Sequence, residues 1–111
     1  MKHATKTNPS IFQAYCKQNG LPVPTPEHKF HPKRKWRIDW YFEANGKKLA
    51  LEVEGGVWQN GRHTRGSGFV ADMEKYNSLA EHGIFLVRVQ PSDLLKMQTI
   101  KLLQNVLTVS D

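Results

Sequence analysis

Hydrophobic residues recur at helical spacing in three segments of the chain. Residues 8–10, Asn-Pro-Ser, are of the types favoured at a helix start, and the apolar stripe that follows them ends near Gly20. A second stripe covers residues 69–80 and Gly83 terminates it, and a third follows Pro-Ser-Asp at 91–93, where we expect the last helix to open. The stripes consist of Ile11, Phe12, Tyr15 and Cys16; Phe69, Val70, Met73, Tyr76, Leu79 and Ala80; and Leu94, Leu95, Ile100, Leu103 and Val106.

The remaining hydrophobic runs are typical of strands. Residues 37–43 and 48–54 flank Asn45-Gly46, the preferred pair for a two-residue type I′ turn, and therefore predict a β-hairpin. Residues 84–89 form a short, mostly apolar strand pattern. Residues 21–26 contain three prolines, which remove backbone donors, so we expect an extended connector there. The predicted order is helix, hairpin, helix, strand, helix.

The hairpin turn fixes which residues face each other. With Asn45 and Gly46 in the turn, counting outward places Asp39 opposite Glu52. Opposed side chains lie roughly 5 Å apart, and two like charges there are destabilising unless a cation or a proton lies between them. Mg²⁺ takes one or two carboxylates and completes its shell with water and phosphate oxygens. We therefore expect a metal site at Asp39 and Glu52.

Strand alternation also assigns the two faces of the hairpin. The apolar face, expected to pack on the helices, carries Ile38, Trp40, Phe42, Leu49, Leu51 and Val53; the polar face carries Arg37, Asp39, Tyr41, Glu43, Lys48, Glu52 and Glu54. An amphipathic hairpin with simply solvated charges is the alternative interpretation. The opposed acids count against it, as does the double glycine at 55–56, which indicates a sharp turn or a close approach of the backbone.

Length and charge narrow the class of protein. A chain of 111 residues predicts one domain, residues 1–111, and a formal charge of +6 favours polyanionic partners, of which nucleic acid is the commonest. Charge alone does not separate DNA from RNA or from an anionic membrane. The chain has no run of about 18 apolar residues and no apolar signal-peptide core, so we expect a soluble cytoplasmic protein. Cys16 is the only cysteine, so a metal would be held by oxygen or imidazole.

Asp39 followed by Glu52-Val53-Glu54 is similar to the split acidic motif of PD-(D/E)XK nucleases. The longer string, residues 30–32, 36–39, 52–56, 61–63 and 72–77, resembles small phage- and prophage-encoded members of that superfamily, relatives of very-short-patch-repair and Holliday-junction-type endonucleases. The resemblance covers roughly residues 27–91. It implies an α/β (α+β) fold with a restriction-endonuclease-like core, in which a central mixed sheet containing a β-hairpin is flanked by helices. It also implies Mg²⁺-dependent hydrolysis of DNA in the cytoplasm of a bacterial host.

The resemblance assigns roles to individual residues. It implies that Asp39 and Glu52 hold Mg²⁺, or Mn²⁺ as a substitute, with the Val53 backbone carbonyl as a further ligand. Some relatives add an upstream glutamate, and Glu27 would occupy that place, although a surface acid after a proline is the simpler interpretation. Glu54 stands where the family has a basic residue. It is a candidate third ligand, a water-positioning carboxylate, or a partner of Arg37, and we favour a place in the active site.

Some members of the superfamily carry the missing lysine on the following helix. Lys75 is the candidate here, on the same helix face as Asp72, and it would orient the attacking water or stabilise the developing phosphorane charge. An ordinary solvated lysine paired with a neighbouring acid is the alternative. Asp72 would support Lys75 or Arg62, or is a helix-surface charge. His63 would bind a phosphate or act as general acid, or is a surface residue.

Two basic segments are predicted to contact DNA phosphates. One consists of Lys33, Arg34, Lys35 and Arg37; the other is the glycine-rich loop with Trp58, Arg62 and Arg65. Three functions remain in order of preference: a Mg²⁺-dependent endonuclease, a non-catalytic DNA-binding relative, and a basic adaptor acting through protein contacts. The small surface favours structure-directed or weakly specific cleavage. Resolution of a junction would require two active sites, which a homodimer of this chain would supply.

Overall fold

A computed structural model describes residues 9–55 and 67–108. They form a four-stranded mixed sheet in the order β1-β2-β3-β4, in which β1 pairs with β2 and β2 with β3 in antiparallel fashion, while β4 is parallel to β3. Helix α2 is the crossover that a parallel strand pair requires. The elements are α1 (Pro9–Gln18), β1 (Thr25–Lys29), β2 (Arg37–Ala44), β3 (Lys47–Val53), α2 (Ser67–Glu81), β4 (Ile84–Val89) and α3 (Met97–Leu107).

The predicted hairpin is confirmed. Ala44 faces Lys47 across a two-residue loop, and the register continues to Trp40 opposite Leu51. Asn45 and Gly46 have φ values of 56° and 77°, the left-handed pair that a type I′ turn requires. The Asn45 side-chain amide donates to the Leu107 carbonyl at 2.9 Å, which fastens the turn to the end of α3.

Helices cover both faces of the sheet. Leu49 and Leu51 of β3 pack with residues of α1 and α3 in one core cluster, where the Phe12 and Trp40 ring centroids lie 4.8 Å apart. Ala50 points to the opposite face, as alternation requires, and packs with Leu79 of α2. Val53 packs against the first cluster, as predicted. The polar face of the hairpin is therefore partly covered by α2.

Three predictions about the elements were wrong. Residues 25–29 form a strand that was not predicted, and its first two residues belong to the segment 21–26 that was predicted to be a connector. β1 lies at an edge of the sheet, where Pro26 is tolerated because an edge strand can lack a donor. Residues 91–93 form a short 3-10 turn closed by the Asp93 amide and the Gln90 carbonyl, and α3 begins only at Met97 because Lys96 is extended. The element order thus gains a strand and a turn.

The third error concerns Ile38. It packs with Ala50 and Leu79, not with Trp40 and Phe42, so alternation along β2 is interrupted between Ile38 and Trp40. The interruption is at Asp39, whose amide donates to a side chain of β3 instead of a backbone carbonyl. Among residues 9–55 and 67–108, no helix has the length and apolarity needed to cross a membrane.

Candidate active site

One row of the sheet carries an ionisable residue on every strand. Glu52 of β3 is the register neighbour of Arg88 of β4. Hydrogen bonds between side chain and backbone hold Asp39 of β2 next to Glu52, and the pairs on either side of Glu27 of β1 place it across from Asp39. Because β3 and β4 are parallel, Glu52 and Arg88 both lie near the carboxyl ends of their strands. The row therefore gathers three acids and a guanidinium at one end of the sheet.

Asp39 and Glu52 each bind the backbone of the other's strand. The Asp39 amide donates to Glu52 Oε2 at 3.1 Å, and the Val53 amide donates to Asp39 Oδ2 at 2.8 Å. These side chains replace the backbone partners that a continued ladder would supply. The two predicted metal-binding carboxylates are therefore held side by side in a fixed geometry, as the hairpin register required.

Lys75 reaches this pair from α2. Its Nζ lies 3.2 Å from Glu52 Oε1, and the two side chains are only 16% and 10% exposed. Burial raises the pKa of Glu52 and the Asp39 carboxylate adds to the effect, whereas the Lys75 ammonium opposes it. Lys75 is thus paired with an acid of another element, not with a neighbour on its own helix.

Glu54 lies in a second ion pair beside the first. Its Oε2 accepts from Arg88 Nε at 3.0 Å and from the Tyr76 hydroxyl at 3.3 Å. The Arg88 guanidinium carbon stands 4.8 Å from the Tyr76 ring centroid. Burial, reinforced by Glu54, raises the pKa of the Tyr76 hydroxyl, which therefore stays protonated and donates.

Of the three alternatives for Glu54, the pairing with Arg37 is not observed, because Glu54 contacts Arg88. Arg37 Nη1 instead lies 3.9 Å from Glu27 Oε1, a contact between β1 and β2. Glu27 has a φ of 52°, a strained value for a strand residue. Of the double glycine, Gly56 lies outside the described residues and Gly55 lies in a turn, where an added Cβ would meet the Pro91 ring at 3.6 Å, an ordinary contact.

The first basic segment is an ordered turn. His31 Nδ1 accepts from the backbone amides of Lys33 and Arg34 at 3.0 and 2.9 Å. Arg34 stacks on Trp36 with its guanidinium carbon 3.9 Å from the ring centroid, and it contacts Glu74 of α2 at 3.4 Å. Lys33 and Lys35 are exposed. Arg34 therefore ties this segment to the helix that carries Lys75.

The second basic segment lies outside the described residues, and with it Trp58, Arg62, Arg65 and His63. Asp72 is exposed on α2. Within residues 9–55 and 67–108, no three His, Cys, Asp or Glu side chains are close enough together to hold a metal ion.

Sequence reasoning missed Arg88 and Tyr76. The sequence pattern assigns Arg88 to an apolar strand and Tyr76 to the apolar stripe of a helix, without a functional role for either. The sequence does contain one indication of a role for Arg88, because it is the single charged residue in an otherwise apolar strand. Both residues contact Glu54 across more than 20 positions of sequence, which no local pattern reports.

Comparison with protein-family models, with curated proteins and with solved structures gives no match for this chain.

Proposed function

We propose that this protein is a Mg²⁺-dependent endodeoxyribonuclease with a restriction-endonuclease-like core. The observation that carries the proposal is the fixed pair of Asp39 and Glu52 with the Lys75 ammonium 3.2 Å from Glu52. Two carboxylates and a lysine at one end of a sheet are the groups that metal-assisted phosphodiester hydrolysis uses. The basic charge of the chain suits a polyanionic substrate.

The donor set fits Mg²⁺ as a partly open site. Mg²⁺ prefers oxygen donors, accepts only one or two carboxylates, and takes its remaining ligands from water and substrate phosphate. A carboxylate accepts up to about four hydrogen bonds, so the three contacts that Asp39 and Glu52 make with Lys75 and the backbone leave acceptor capacity on both. Asp39 and Glu52 would hold the ion. When bound, it would supply charge that stabilises the phosphoryl oxygens and favours ionisation of water.

The side chains around the acids have separate tasks in this account. The backbone amides of Asp39 and Val53 fix the carboxylates in position before substrate arrives. Lys75 opposes the rise that burial causes in the pKa of Glu52, and its ammonium would stabilise negative charge developing on a phosphate. Lys33 and Lys35 lead into β2 and would contact the phosphate backbone without selecting sequence.

A cleavage assay tests the proposal. Supercoiled plasmid and a synthetic four-way junction are incubated with the protein in Mg²⁺, in Mn²⁺ and in EDTA, beside the variant Glu52→Gln. We expect nicking or linearisation that depends on the divalent ion and is lost in the variant. Cleavage in EDTA, or full activity of Glu52→Gln, would rule out the proposed site.

A non-catalytic DNA-binding protein is the second candidate. The ion pair of Lys75 with Glu52 favours it, because the pair already neutralises the buried carboxylate without a metal. DNA binding that strengthens as salt falls, with no cleavage of either substrate in Mg²⁺ or Mn²⁺, would select this candidate.

A further inference from the structure

A groove opens beside Glu54 and Arg88 at the carboxyl ends of β3 and β4. It has a volume of about 360 Å³ and lies between the end of the sheet and the start of α3. Val89 and Leu102 supply its apolar wall; its polar lining is Glu54, Arg88, Gln90, Asp93, Gln98 and Thr99. Asp93 is paired with Lys96 at 3.2 Å and Glu54 with Arg88 at 3.0 Å, so both carboxylates of the groove have a cationic partner.

Arg88 links this groove to the acids. It is the register neighbour of Glu52, and register neighbours on adjacent strands point to the same face of a sheet. Its side chain is 48% exposed although it contacts Glu54 and stacks against Tyr76. The hydrogen bond to Glu54 uses Nε, which leaves the two terminal nitrogens of the guanidinium outside that contact. A guanidinium whose two terminal nitrogens are accessible can bind a phosphate in bidentate fashion.

We infer that Arg88 binds a phosphodiester of the nucleic-acid strand next to the one that is cleaved, and that Glu54 is a positioning residue that orients Arg88. The inference rests on the proposed function. The nucleic-acid strand would then run from Asp39 and Glu52 into the groove, where Gln90 and Gln98 would face it. Glu54 in this account acts through Oε2, which accepts hydrogen bonds from Arg88 and Tyr76 and so orients the guanidinium.

The two residues have different expected effects on binding. Removing one phosphate contact lowers the slope of log K against log salt by roughly 0.9 for duplex DNA. Arg88→Gln should show this change and bind roughly tenfold more weakly, since a hydrogen bond to a charged group is lost. Arg88→Lys should keep the slope, because it keeps the charge. Lys17→Gln on α1, an exposed lysine that does not line the groove, is the matched control and should keep the wild-type slope.

The positioning role of Glu54 is tested by cleavage. Glu54→Gln should slow cleavage at least about tenfold without raising the Mg²⁺ concentration for half-maximal rate. The double variant with Arg88→Gln should be no slower than Arg88→Gln alone, because the two residues act through one contact. Fluorescence anisotropy of a labelled duplex in EDTA gives the salt slopes, and thermal unfolding checks that each variant folds.

The experiments distinguish failure of the Arg88 phosphate contact, of the Glu54 positioning role and of the proposed nuclease function. A salt slope for Arg88→Gln equal to that of Lys17→Gln overturns the phosphate contact, while metal-dependent cleavage by the wild type would leave the proposed function intact. A rise in the Mg²⁺ requirement of Glu54→Gln overturns the positioning role and makes Glu54 a ligand. A wild-type protein that binds no DNA at low salt refutes the proposed function and this inference together.

Discussion

Replacing Lys75 by methionine should destabilise the protein strongly, because it leaves a buried carboxylate without its cation. Breaking one partner of a buried ion pair costs about 3–5 kcal/mol. The Lys75 and Glu52 side chains are 16% and 10% exposed, and Glu52 keeps its hydrogen bond from the Asp39 amide, so we expect the lower end, about 3 kcal/mol. For a domain whose total stability is about 5–15 kcal/mol, this is a large fraction.

Urea denaturation followed by tryptophan fluorescence measures this cost, since Trp40 is buried in the main core. With a slope of about 1–3 kcal/mol per molar urea, the midpoint should fall by roughly 1–3 M. Lys48→Met is the matched control: Lys48 is exposed opposite Glu43, and an exposed pair is worth less than about 1 kcal/mol. If Lys75→Met and Lys48→Met unfold at the same urea concentration, the buried pair does not contribute as argued.

The pH dependence of the same pair has a definite sign. Burial raises the pKa of Glu52 above its ordinary value, so the folded state binds this proton more tightly than the unfolded state does. The stabilisation from protonated Glu52 is present below the ordinary pKa and is lost as pH rises through the folded value. The stability of the wild type relative to Glu52→Gln should therefore fall as pH increases from 4 upward. A constant difference across that range would contradict the assignment.

Three further predictions concern the fold. Gly46→Ala should cost about 1 kcal/mol in urea denaturation because of its φ of 77°, whereas Gly55→Ala should cost less, since its Cβ meets only an ordinary contact. Burial raises the pKa of the Cys16 thiol to about 12, so a thiol reagent at neutral pH should modify it only after denaturant is added. Phe12→Ala should cost about 3–5 kcal/mol by the same urea assay, because Phe12 is fully buried between Trp40 and Phe42.

The hairpin and the acid pair were predictable because a two-residue turn fixes register. Once Asn45 and Gly46 occupy the turn, the neighbours of Asp39 and Glu52 follow by counting. The approach of Lys75 was also open to prediction, because a helix between parallel strands must lie on the sheet. β1 was missed because prolines argue against a central strand and say little about an edge.

The rest of the site depends on contacts that leave no local pattern. Alternation placed Ile38 with Trp40, but the side-chain contacts of Asp39 with β3 interrupt the strand there. Counting across the hairpin offers Arg37 as a partner for Glu54, which was one of three alternatives. The observed partner, Arg88, lies instead on β4, which comes next to β3 only through the α2 crossover. The register of β4 against β3 depends on how the α2 helix packs on the sheet, and no tight turn in the sequence determines it.

The most direct test of the account compares two carboxylates of the same strand. Asp39→Asn removes a charge from the proposed metal pair, while Glu43→Gln removes one from an exposed position near the hairpin turn. We predict that, in Mg²⁺ with supercoiled plasmid, Asp39→Asn loses cleavage and Glu43→Gln keeps the wild-type rate, with both variants folded by circular dichroism. Cleavage by Asp39→Asn at the wild-type rate would contradict the proposal that Asp39 and Glu52 form the active site.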